Sequence, residues 1–91
     1  MINIDDVIGM TDLTSEEIEA IAEHEHITPA NAAMLAEYLM HEHHGEAKVH
    51  DMICDDIREA LHKKDLAHAR ELYSTLKHYI ETHPGAVHGV S

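Results

Sequence analysis

Eleven of the 91 residues are histidine and eighteen are Asp or Glu, so side chains that hold transition metals and carry protons near neutral pH dominate the sequence. Imidazole and carboxylate are ligands for Zn, Ni and Cu(II), and a helix presents two of them on one face when they lie three or four positions apart. That spacing recurs. Glu37, His41 and His44 are four and three apart, His50 and Cys54 are four apart, and Glu23/His26 and Glu59/His62 each read Glu-x-x-His. A short chain this rich in acids and imidazoles produces such pairs by chance, so a single pair reads first as a solvated helix face. Metal binding needs ligands that converge from separate elements.

The periodicity predicts an all-α fold of four helices preceded by a short N-terminal turn over Ile4–Ile8, which Asn3 caps and Gly9 ends. Thr14-Ser15-Glu16-Glu17 has the spacing of a capping box and opens helix one. Its arc of Ile18, Ile21 and Ala22 also takes in Glu25, a carboxylate at an apolar position. Thr28-Pro29 opens helix two, which runs to about His43 before Gly45. This helix is apolar nearly all round, with Met34 and Tyr38 opposite Ala32, Leu35, Ala36, Leu39 and Met40. It is therefore either central in the bundle or part of a homodimer interface. Helix three is expected over Glu46–Lys63 on Val49, Ile53, Ile57, Ala60 and Leu61, with Asp56 inside its apolar arc. Asp65 caps helix four, whose stripe is Leu66, Ala69, Leu72, Tyr73, Leu76, Tyr79 and Ile80, and His83-Pro84-Gly85 ends it. Without Phe or Trp the core must be aliphatic. One helical domain over 1–85, followed by a flexible tail at 86–91, completes the expectation.

Short connections make neighbouring helices antiparallel, and an up-down bundle gathers side chains at its two ends. One end should collect Glu37, His41, His43, His44, Glu46, His50 and His83, and the other Glu25, His26, His62 and His68. The leading metal candidates are therefore His50 and His83, with His41 or His44 completing the set and Glu37 beside them. Secondary candidates are His24, Glu25 and His26 in the Glu-His-Glu-His run, and Asp56, because a buried carboxylate requires a partner; the competing reading is that a small shift of helix phase leaves both Glu25 and Asp56 exposed at the edge of their arcs. The competing reading is that His41, His43 and His44 merely finish a helix, where positive charge suits the terminus. Cys54 reads as a small buried hydrophobe rather than a nucleophile.

The formal net charge is -12, and it is segregated: residues 1–47 hold eleven acids and no Lys or Arg, whereas residues 48–91 hold six basic and seven acidic residues. Such a field repels phosphate backbones and anionic lipid, and it attracts divalent cations or a basic protein surface. A helix-turn-helix reading of Leu13–Met40 fails on the same ground, since its recognition helix would hold no cation for phosphate or guanine. The longest apolar run, Ala32–Ala36, is far short of the roughly 20 residues that span a bilayer. With one cysteine and no basic, apolar signal segment at its start, the chain is expected in the cytoplasm.

Ile21-Ala22-Glu23-His24-Glu25-His26, Met52-Ile53 with Asp55-Asp56-Ile57, and His83-Pro84 resemble a group of short uncharacterised bacterial helical proteins of about this length. The resemblance implies a small bacterial protein and brings no activity with it. A looser similarity to ferritin-like bundles implies Glu and Glu-x-x-His ligands on facing helices. The chain departs from that pattern in its short helices and in lacking paired Glu-x-x-His motifs at core positions. Two functions follow as expectations: a non-catalytic divalent-metal-binding protein, or an acidic module docking on a basic protein partner. Catalysis ranks behind both.

Overall fold

Thr14 Oγ1 accepts the Glu17 N–H at 3.2 Å while Glu17 Oε1 accepts the Thr14 N–H at 2.8 Å, so the capping box closes in both directions. It opens α1 (Ser15–Glu25). Thr28 Oγ1 accepts from Asn31 N–H and Pro29 supplies the first residue of α2 (Pro29–Met40). Asp65 Oδ1 accepts from His68 N–H to start α4 (Leu66–Thr82). Between them lies α3 (Gly45–His62), which begins without a side-chain cap after His44, a residue in the left-handed region at φ 67°. The computed structural model describes residues 13–88, and among them every regular element is helical. The expected turn at Ile4–Ile8 lies outside the described residues.

Two helices end alike. His26 and Lys64 adopt left-handed backbone, and the next residue donates back to the helix: Ile27 N–H to Ala22 O at 3.1 Å, Asp65 N–H to Ala60 O at 2.9 Å. This turn decides between the two readings of Glu25. Glu25 is exposed because α1 stops there and Ile27, just beyond the reversal, packs against the core in its place. The acid that α1 does bury is Glu17.

α2 stops at Met40 rather than about His43, since the N–H groups of His41 and Glu42 turn to Tyr38 O and Leu39 O. At the other end of the chain, residues 85–88 form one further helical turn, α5 (Gly85–His88), with Ala86 buried, where an aperiodic tail was expected from Ala86 onward. No described helix is long and apolar enough to cross a membrane.

The core is aliphatic but for the ring of Tyr79. Ile18 and Ile21 of α1, Ala32, Ala33 and Ala36 of α2, and Val49 and Ile53 of α3 are fully buried, the alanines letting α2 lie close against α1 and α3. The stripe expected on α4 divides in two. Ala69, Leu72 and Tyr79 face the core, whereas Leu66 and Tyr73 are exposed, because α4 packs on α3 and α1 along only one side. Tyr79 is the largest fully buried side chain, and its hydroxyl donates to Glu46 O at 2.8 Å, fixing α4 against the start of α3. Tyr79→Phe keeps the ring and removes that one bond, so it should cost about 1 kcal/mol. Urea unfolding should show the loss as a lower midpoint at unchanged slope.

Candidate functional site

The ligands expected at the first end are present but occupied singly. His41 Nε2 meets Glu37 Oε1 at 3.0 Å, one turn apart on α2 and well exposed. The rings of His43 and His44 lie 3.8 Å apart in the turn after α2. His50 pairs with Asp51 at 3.2 Å and approaches Cys54 Sγ at 3.7 Å, both neighbours on its own helix. Burial pushes the Cys54 thiol up, away from the thiolate that nucleophilic chemistry requires. His83 is buried and stacked on Tyr79, ring centroids 4.6 Å apart, with Nδ1 2.9 Å from Thr82 Oγ1. Each of these side chains thus finds its partner within its own segment. Among the described residues no group of three or more His, Cys, Asp or Glu is placed to share an ion.

The assembled chemistry lies along α1. His24 Nδ1 meets Glu25 Oε2 at 2.8 Å and Nε2 meets Asp55 Oδ2 of α3 at 3.3 Å. Carboxylates only accept, so both contacts are hydrogen bonds only when both ring nitrogens carry protons. Burial opposes that charge, yet the bonds to Glu25 and Asp55 and the charge of Asp56 prevail and hold the His24 pKa above the usual histidine range. On the other flank His68 of α4 meets Glu23 of α1 at 2.6 Å, a bond that raises its pKa against a smaller opposing effect of burial. A third link joins His78 of α4 to Glu17 Oε2 at 3.2 Å. Among the described residues, the ion pairs that tie α1 to α3 and α4 all use histidine, whereas Arg58–Asp55 and Lys63–Glu59 stay within α3.

Asp56 lies amid these links, buried within the apolar arc of α3 rather than exposed at its edge, and its Oδ2 has no hydrogen-bond partner. Burial, then the neighbouring charge of Glu23, pushes its carboxyl up to about 7. His24 and His68 draw it the other way, and Asp55 adds to the rise. Of the remaining secondary candidates, Glu25 joins the cluster only through His24, and His26 is the exposed left-handed residue after α1.

Beside the cluster a cleft of about 370 Å³ runs between α1 and α4, lined by Glu16, Glu19, Ala20 and Glu23 on one side and His68, Glu71, Leu72, Ser74 and Thr75 on the other. Four carboxylates face it and neither Lys nor Arg does. No protein-family model, curated protein or solved structure matches this chain. The cleft must therefore be read from its own residues.

Spacing alone could have found it. Glu16, Glu19 and Glu23 recur at three and four on α1, and His68, Glu71 and Thr75 do the same on α4. The metal-ligand pattern singles out histidine and acid paired on one helix, and acids aligned along the outer stripe of a different helix do not meet it.

Proposed function

We propose that this protein is a small acidic interaction module that takes a basic segment of a protein partner along the cleft between α1 and α4. The observation that carries this reading is the lining itself: Glu16, Glu19, Glu23 and Glu71 with no basic side chain but His68, which is already committed to Glu23. Arg and Lys on a partner would find carboxylates on both walls of a cleft whose floor is closed by the buried Ala20 and Leu72. The charge of residues 1–47, eleven acids without a base, steers such a partner toward the face that carries α1.

A fluorescent peptide rich in Arg and Lys, titrated with the protein at low and moderate salt, tests the proposal. Binding should weaken as salt rises, and Glu19→Lys with Glu71→Lys should weaken it at least about tenfold, close to 1.4 kcal/mol. Glu59→Lys, on α3 and outside the cleft, should change it little. Affinity equally reduced by Glu59→Lys would reduce the effect to net charge and remove the cleft from the account.

A further inference from the structure

Five large apolar side chains are exposed among the described residues, and they form two patches. Leu61, Leu66 and Tyr73, each more than half exposed, line one cleft between α3 and α4 over Ile57 and Ala69. Met34 and Tyr38, four apart and so on one face of α2, form the other. The charges beside the two patches are opposite in sign. Arg70 lines the α3–α4 cleft, and Lys77 lines its continuation past Tyr73 along α4, which Glu81 closes at the far end. α2 carries Glu37 and no Lys or Arg, and Glu42 follows it.

We infer that a second copy of this chain occupies the α3–α4 cleft, seating Met34 and Tyr38 of its α2 against Leu61, Leu66 and Tyr73. Apolar surface meets apolar surface, and the α2 acids approach Arg70 and Lys77. The contact also appends the segment of least electrostatic cost: residues 48–91, which form the cleft, sum to -1, against -11 for residues 1–47. A basic peptide suited to the α1–α4 cleft would meet like charge here, so the two surfaces select different occupants. If each copy seats the other's α2, the pair closes with twofold symmetry; if not, the same contact repeats along a chain of copies.

Light scattering of the full chain on a sizing column, over the micromolar range, tests this. The mass should be at least twice 10.2 kDa. Tyr73→Glu, which spoils the cleft, and Tyr38→Glu, which spoils the α2 face, should each return it to the single-chain value. Mixing these two variants should restore association, because one keeps an intact α2 face and the other an intact cleft. Circular dichroism confirms that each variant folds, and Leu66→Ser and Met34→Ser replace any that does not. A single-chain mass for the unaltered protein overturns the inference. So does association that survives Tyr38→Glu, which would mean that the cleft pairs with something other than α2, or a mixture that stays at the single-chain mass.

Discussion

Gly45→Ala should destabilise the protein strongly, by more than about 3 kcal/mol. An added Cβ would overlap Leu39 O and sit 2.5 Å from Leu39 C, backbone atoms of the preceding helix that no rotamer change can move aside. The closeness has a cause in the connection. Residues 41–44 connect α2 to α3 in a tight turn, with His44 left-handed and Gly45 N–H bonded to Glu42 O at 3.1 Å, so the start of α3 lies against the last turn of α2. Relieving the overlap requires the two helices to separate where Leu39 and Val49 are buried. Forced displacement of that kind costs more than about 3 kcal/mol, a large share of the roughly 5–10 kcal/mol that a domain of this size has. Far-UV circular dichroism with urea titration reads the result. A midpoint equal to the parent's would show that the α2–α3 connection tolerates a side chain and is not built on this contact.

Gly45 also marks the limit of what the sequence discloses. As a helix breaker it is legible, and so are Thr14, Thr28-Pro29 and Asp65 as helix starts, because capping is a local matter of one side chain and the N–H groups two or three residues on. The four helices appear where those signals stand. Packing direction is not local. Leu66 and Tyr73 satisfy the period of α4 as well as Leu72 and Tyr79 do, and only the position of α3 and α1 decides that the second pair is core and the first is surface. The histidines divide on the same principle. Burial of Asp56 follows from phase along one helix, whereas the partners of His24 and His68 depend on which helix lies opposite: Asp55 and Glu23 are 31 and 45 residues away. The flat map of hairpins set Glu46 beside His83 and His50 beside Tyr79; in the folded chain Tyr79 reaches the Glu46 backbone, whereas His50 and His83 are taken up within their own segments, by Asp51 and by Tyr79.

Lowering the pH from 8 to 6 should stabilise the fold, and most of the gain should vanish in Asp56→Asn. The groups around the Asp56 carboxyl are Glu23 and His24 from α1, Asp55 from α3 and His68 from α4. Asp56 titrates near 7 in the folded chain, above the ordinary carboxylate value, so the proton is bound more tightly folded than unfolded. A raised pKa of this kind contributes stability that is complete below the unfolded value, near 4, and is lost as pH rises through about 7. His24 and His68 are also raised, so their contribution is complete below the ordinary histidine value and is lost above it. All three therefore act in the same direction between pH 8 and 6. Asp56 alone should supply about 1–2 kcal/mol over that interval, since a tenfold difference in proton affinity is worth about 1.4 kcal/mol and the unfolded carboxyl stays ionised throughout. Asn keeps the size of the side chain and cannot ionise, so Asp56→Asn should be at least as stable as the parent at pH 8 and should lose ground to it as the pH falls. Urea midpoints at pH 6, 7 and 8 for both proteins measure the slope. If the parent weakens as the pH falls, histidines buried in the neutral form control the response; if the slope survives in Asp56→Asn, the pairs of His24 and His68 carry it instead.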